Sequence, residues 1–195
     1  TYAWERVSLP RYGENPHQSA AIYRWANEKG GIVNATKLHG IDMSYLNYYD
    51  ADAAWNAVTS FQQPCVAIVK HSNPCGLAIS QDQTEAYNRA LSGDPVSAFG
   101  GVVGFNTEVS ENTAMAMKGV FLDVIVAPSY ENRALEILTK RKKTRILQVH
   151  PDAGSPIMIR SVSGGVLLQD SDLNDDQPDT WRTVSKALPT KKTNE

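Results

Sequence analysis

Cysteine is scarce in this chain: Cys65 and Cys75 are the only two in 195 residues. So few thiols cannot make the disulfide framework of a secreted domain, and a cytoplasmic protein with both thiols reduced is expected. Net charge is nearly absent as well. A formal −2 gives no electrostatic reason to expect nucleic acid or an anionic membrane as partner, although it leaves a local basic pocket open. Long hydrophobic runs are missing; the longest, Cys65 to Val69, suits a strand and not a bilayer span. The opening Thr1-Tyr2-Ala3-Trp4-Glu5 has no basic stretch followed by an apolar one, so it is no secretory signal. It does not begin with Met, as expected of a processed piece of a longer chain.

Three chemical signatures are also missing. There is no phosphate-binding P-loop. Gly100, Gly101 and Gly104 imitate a dinucleotide fingerprint, but they precede a candidate strand instead of following one. Pro64-Cys65 and Pro74-Cys75 each supply half of a zinc-deaminase motif. Neither has a second cysteine three residues on, and no His-x-Glu precedes them, so no metal is expected.

What is present has the makings of a layered globular domain. Hydrophobic residues make up 42% and charged residues 21%, ordinary proportions in a length that can bury one core or a little more. Short apolar runs predict strands at Cys65–Val69, Leu77–Ile79, Val102–Phe105, Val124–Ala127, Arg145–Val149 and Val166–Leu168. Helical spacing lies between them. Asp50 is a candidate N-cap for a helix burying Ala51, Ala54, Trp55 and Val58. Asp82 and Glu85 suggest a capping box for a second helix, and Ser110 a cap for a third. A fourth is expected from about Glu131, ending in Lys140, Arg141, Lys142 and Lys143, cations that suit a helix C-terminus. The same basic run without interleaved aromatics makes a poor nucleic-acid patch. Strands alternating with helices give an α/β layered fold with a largely parallel sheet. Asp170 to Asp179 has loop composition, and the last residues, 186–195, carry no apolar pattern and are expected to form a mobile tail.

The segment with the sharpest chemistry is Lys70-His71-Ser72-Asn73-Pro74-Cys75-Gly76, where a β-branched run stops at two ionisable residues. Asn73-Pro74 with Gly76 predicts the turn there. In open α/β sheets ligands bind beyond the carboxyl ends of strands, which would place Lys70 and His71 at a site. His71 can take a proton from an amine near neutral pH, and Lys70 can stabilise a developing oxyanion. The competing structural account has Lys70 reaching into solvent and His71 bonding a loop carbonyl. Arg11-Tyr12-Gly13-Glu14-Asn15-Pro16-His17-Gln18 combines a phosphate-clamping guanidinium with an aromatic ring, or is a surface turn. Asp94-Pro95-Val96-Ser97-Ala98-Phe99-Gly100-Gly101 offers a ring to stack on and glycines for close backbone approach, or is an ordinary loop. Asn47 and Asp123 are unremarkable in isolation.

Together these three segments, in their chain order from Arg11 through Lys70 to Asp94, resemble the bifunctional formyltransferase and IMP cyclohydrolase family of de novo purine synthesis. The resemblance covers nearly the whole chain, including Leu38-His39-Gly40 through Trp55, Val124-Ile125-Val126-Ala127-Pro128 and Gly164-Gly165-Val166-Leu167-Leu168-Gln169-Asp170. It implies a cytidine-deaminase-like α/β/α fold without zinc, with residues 1–185 forming the amino-terminal half of the transformylase domain. It implies formyl transfer from 10-formyltetrahydrofolate, as cosubstrate, to the 5-amino group of aminoimidazole carboxamide ribonucleotide, and homodimerisation through that domain. Lys70 and His71 would be catalytic, Arg11 and Tyr12 would hold the ribonucleotide, and Asn47, Phe99, Gly100 and Asp123 would line the base pocket. Pro10 stands where the family usually has Leu, which bears on how Arg11 is presented. Leu46 replaces an Asn common in bacterial members, next to a retained Asn47. The family's domain continues beyond the motifs present here and a cyclohydrolase domain precedes them, so this stretch is expected to lack part of the site. Two readings from other classes compete: a non-catalytic nucleotide-binding or self-associating fragment, and an amidotransferase or deaminase using Cys75 as nucleophile.

Overall fold

A computed structural model describes residues 3–151, 157–172, 182–184 and 186–187. The chain divides into two compact units, Thr1–Ala153 and Gly154–Glu195. The tail expected at 186–195 lies outside the described residues apart from its first two, as does most of the loop expected at 170–179.

The first unit is built on a six-stranded sheet in the order β3-β8-β7-β6-β4-β5. Its strands are β3 (Thr36–His39), β4 (Cys65–Lys70), β5 (Asn73–Ile79), β6 (Gly101–Phe105), β7 (Leu122–Ala127) and β8 (Arg145–Gln148). Strands β6, β7 and β8 run parallel, whereas β3 pairs antiparallel with β8, and β4 pairs antiparallel with both β6 and β5. The α/β reading stands, with the parallel arrangement confined to the centre and the sheet as a whole mixed. A short connection produces the antiparallel edge: β4 and β5 are joined by only two residues, too few for a parallel crossover.

Alternation along the buried strands splits the core in two. Val66 and Ile68 of β4 join one cluster, while Cys65, Ala67 and Val69 join the other. Helices α2 (Gln83–Gly93), α3 (Glu111–Ala116) and α4 (Asn132–Leu138) cover the first face through Ala86, Tyr87, Ala114 and Leu138. Helix α1 (Tyr45–Thr59) covers the second through Ala51, Ala54, Trp55 and Val58. Each fully buried Val or Ile on this sheet contributes roughly 1.5–3 kcal/mol of transfer free energy, which is why a period of two is kept so strictly. Gly76 permits the close approach of α2, since a Cβ there would stand 2.0 Å from the carbonyl oxygen of Ala90.

Helix starts follow capping chemistry. Ser110 accepts the amide of Thr113, and Asp82 accepts those of Thr84 and Glu85. The capping box expected of Asp82 and Glu85 is not closed, because Ser80 stands between them, its hydroxyl donating to Glu85 and accepting the Asp82 amide. The cap of α1 is not Asp50 but Ser44, in a reciprocal box with Asn47. Ser44 outcompetes Asp50 because its box satisfies two backbone donors at once. The fourth helix stops at Leu138, short of the basic run expected to end it. Arg141 instead turns back and donates to the carbonyls of Val120 and Met117, tying down the segment after α3.

Four strands escaped the apolar-run criterion: β3, the amino-terminal pair, and the first strand of a hairpin whose second strand contains the expected Val166–Leu168. Strands β1 (Trp4–Ser8) and β2 (Ile22–Trp25) form an antiparallel pair held by the Arg24–Glu5 ion pair at 2.7 Å. In the second unit, β9 (Ile157–Val162) and β10 (Gly165–Asp170) form an antiparallel hairpin. No helix among the described residues is long and apolar enough to cross a membrane.

Candidate functional site

Strand β4 ends at Lys70, and His71 and Ser72 make the turn into β5. The turn therefore comes two residues earlier than Asn73-Pro74 suggested, and Asn73 and Pro74 belong to the strand. Both turn residues adopt positive φ, 51° at His71 and 60° at Ser72. Such backbone matches the twist of a two-residue hairpin, but normally calls for Asn or Gly and costs a side chain of the other kind roughly 1–2 kcal/mol. Two restraints hold it. The carboxylate of Asp50 accepts the Ser72 amide at 2.8 Å, and the Asn73 side-chain amide donates to the His71 carbonyl at 2.8 Å. Asp50, expected to cap a helix, thus works as a strut from α1 to the turn.

Because β4 runs against β6, its carboxyl end meets the amino ends of the parallel strands: Val69 lies opposite Val102, and Val124 opposite Arg145. The rule that ligands gather at carboxyl ends of parallel strands does not locate this site. What gathers instead is the charge carried where those strands begin, together with the loop before β6.

Lys70 and His71 line a cavity of about 440 Å³ with Asn73, Pro74, Cys75, Asp94 and Ser97. Lys70 is not free in solvent. Its ammonium donates to the carbonyl of Phe99 at 2.9 Å, bringing the candidate catalytic pair beside the candidate ring-binding segment. Phe99 is 60% exposed, so its ring is open to stack, and its other contact is the ring of Phe121 at 5.4 Å between centroids. Gly100 has φ +74° and donates its amide to the Phe121 carbonyl at 2.8 Å, a conformation that glycine adopts without strain.

Asp94 accepts the Ser97 amide at 2.9 Å, and the hydrogen bonds from Ser97 hold its carboxyl below the usual range. Cys75 goes the other way. Burial first, then the charge of Asp94, raise its thiol pKa, with Lys70 opposing. A cysteine so placed is kept as thiol and not as thiolate, which disfavours the nucleophile reading.

Arg11 and Tyr12 line a different cavity, of about 780 Å³, together with Pro10, Lys37, Asp42, Ser44 and Arg145. Arg145 joins this cavity although its place at the start of an apolar strand marked it only as part of the sheet. Its guanidinium is buried, donates twice to the carbonyl of Asp42 (3.1 and 2.9 Å), and stands 3.7 Å from Asp123. Burial lowers its pKa while Asp123 raises it, so the carboxylate offsets part of the cost of a buried cation. Lys37 is paired to Asp42 at 2.9 Å, and that bond holds the Asp42 carboxyl low. A cation opening an apolar strand, Arg145-Ile146-Leu147, was the available signal for Arg145.

The expected residues thus fall into two groups. Lys70, His71, Phe99 and Gly100 are joined around the β4–β5 turn. Arg11 and Tyr12 share the larger cavity with Arg145, which reaches Asp123. Asn47 is buried at the start of α1, its side-chain oxygen already committed to the Ser44 amide at 3.0 Å. Among the described residues, no group of three or more His, Cys, Asp or Glu side chains could hold a metal ion. A strained, strutted Lys-His turn beside an open ring and a separate cationic cavity agrees with the motifs that carried the resemblance. The family model described as AICARFT/IMPCHase bienzyme matches residues 1–195, and the chain belongs to that family of purine-biosynthesis enzymes.

Proposed function

We propose that this chain carries part of a formyltransferase site, acting on aminoimidazole carboxamide ribonucleotide with 10-formyltetrahydrofolate as formyl donor. The observation that carries the reading is the hydrogen bond from the Lys70 ammonium to the Phe99 carbonyl, which ties the cation next to His71 in sequence to the backbone of a residue with an exposed aromatic ring. The acceptor amine is a weak nucleophile because its lone pair is delocalised into the ring and carboxamide. Attack of that nitrogen on the formyl carbon forms a C–N bond and puts negative charge on the formyl oxygen, where the Lys70 ammonium would stabilise it. His71 would take the amine proton and return it to the folate nitrogen as the second C–N bond breaks, so one proton moves and none is lost. The strutted turn serves this role by holding the backbone at His71 in place in advance. Arg11, Lys37 and Arg145 give the larger cavity a cationic lining suited to the ribonucleotide phosphate. Asn47, Phe99, Gly100 and Asp123 are assigned to the base, and a homodimer through this domain in a cytoplasmic setting completes the reading.

In the complete enzyme, His71→Ala is expected to lower turnover by roughly 10²-fold or more, the usual scale for loss of a general base. Near-normal turnover would end the assignment. The separation of the Lys70–His71 and Arg11–Arg145 cavities favours a second reading, that this stretch binds nucleotide without turning it over. Calorimetric titration of the ribonucleotide against its phosphate-free nucleoside decides whether the phosphate side is already formed: binding that weakens without the phosphate is expected.

A further inference from the structure

Phe121, whose ring contacts Phe99, also lines a second basic cavity of about 490 Å³. Five cationic residues surround it, Lys118, Lys140, Arg141, Lys142 and Lys143, and among the described residues no acidic side chain does. That concentration stands out in a chain whose net charge is −2. The helix-end explanation of the basic run fails for its lysines, because α4 ends at Leu138. Among the described residues, Arg141 is the one cation of this cavity whose side chain has a hydrogen-bond partner, on the carbonyls of Val120 and Met117.

Neighbouring acids are spent elsewhere: Glu136 pairs with Arg133 at 3.1 Å and Asp123 with Arg145. None of the ion pairs among the described residues uses Lys118, Lys140, Lys142 or Lys143. Clustered like charges repel, and a surface with no other purpose disperses them or intersperses acids. Val120, Phe121 and Ile137 give the lining an apolar wall, beside Gly119 and Thr144, whose hydroxyl already donates to the Leu122 carbonyl. A concave site with an apolar wall and several convergent cations matches a ligand with one flat ring and several negative charges. A lone phosphate would leave the wall unused, and an uncharged ring would leave the lysines unpaired.

We infer that this cavity binds a nucleoside di- or triphosphate, its phosphates among Lys118, Lys140, Lys142 and Lys143 and its ring against Phe121. The inference does not depend on the formyltransferase reading, since none of these lysines belongs to the proposed catalytic or ribonucleotide cavities.

The test is calorimetric titration of ATP into this chain at low and at raised salt, with adenosine and inorganic pyrophosphate as separate probes. Saturable ATP binding that weakens with salt is expected, tighter than either probe alone. The triple variant Lys140→Ala, Lys142→Ala, Lys143→Ala should weaken it by roughly tenfold or more. Lys70→Ala should leave it unchanged. Absence of saturable binding, or binding that survives the triple substitution, overturns the inference. So does ATP binding that Lys70→Ala abolishes, which assigns the nucleotide to the cavity of the β4–β5 turn. Pyrophosphate binding as tightly as ATP also overturns it, because the aromatic wall would then contribute nothing.

Discussion

The cations of this molecule are held in two contrasting ways. At the amino ends of the parallel strands each has a fixed partner: Lys70 the Phe99 carbonyl, Arg145 the Asp42 carbonyl and Asp123, Lys37 the Asp42 carboxylate. Around the basic cavity, Arg141 alone is anchored, and the lysines carry no ion pair among the described residues. Anchored cations lose their side-chain freedom on folding and stand ready at one position. Loose lysines keep that freedom until something anionic arrives. The first arrangement suits a reaction with a defined developing charge, the second an adaptable grip on a flexible polyanion.

Removing an anchored cation should therefore disturb the fold, and removing a loose one should not. Arg145→Ala has the largest expected effect, a loss of about 2–3 kcal/mol in denaturant unfolding, because two buried hydrogen bonds go and Asp123 loses its partner. Stability within about 0.5 kcal/mol of the parent would show that the buried guanidinium is not an anchor. The Asp50 strut should matter for activity more than for folding. Asp50→Ala in the complete enzyme is expected to lower kcat roughly tenfold or more with little change in KM, while Asp50→Asn, which retains an acceptor for the Ser72 amide, should recover most of it. Equal losses in both variants would point to the charge of Asp50 and not to its hydrogen bond.

Cysteine chemistry sharpens the same contrast, since Cys75 shares a cavity with Lys70 and yet has its thiol pKa raised. A raised pKa means less thiolate at a given pH. Alkylation of the native chain near pH 8 should thus run several-fold slower than that of the unfolded chain, and the two should converge only as pH climbs past the ordinary thiol range. Cys65, whose buried thiol is pushed up to about 11, should lag further. Native labelling faster than unfolded labelling would restore Cys75 as a nucleophile. The smallest effect belongs to Lys142→Ala, expected to change stability by less than about 0.5 kcal/mol, and a larger loss would reveal an anchor there.

Much of the layered core was legible because burial on both faces demands an uninterrupted apolar run, as in Cys65–Val69, and helix faces repeat at their own period. The three candidate segments stood out for a different reason: they combine residue types that no core requires. Misreadings arose where local chemistry had two solutions. Asp50 and Ser44 are both good caps, and only the packing of α1 against the β4–β5 turn gives Asp50 its other duty. Asn73-Pro74 is strong turn chemistry, yet pairing of Lys70 with Asn73 moved the turn onto His71 and Ser72. Arg145 was missed because its one local signal, a cation opening an apolar strand, is the same for a buried, paired arginine as for one at a solvent-facing strand start.

The apolar runs mark the limit of local information. Val66–Val69 is wholly buried, while Val166, Leu167 and Leu168 are each at least half exposed within the second unit. The sequence by itself determined that both runs are strands, since β-branched and aliphatic residues favour extended backbone wherever they lie. It likewise determined the capped helices and the identity of the ionisable residues at the strand ends. Tertiary structure decided which strand ran against which. That choice brought the carboxyl end of β4 to the amino ends of β6, β7 and β8 and set Lys70 against Phe99. The reason is physical: strand direction and charge pairing depend on neighbours distant in the chain, and no periodicity in the sequence encodes them.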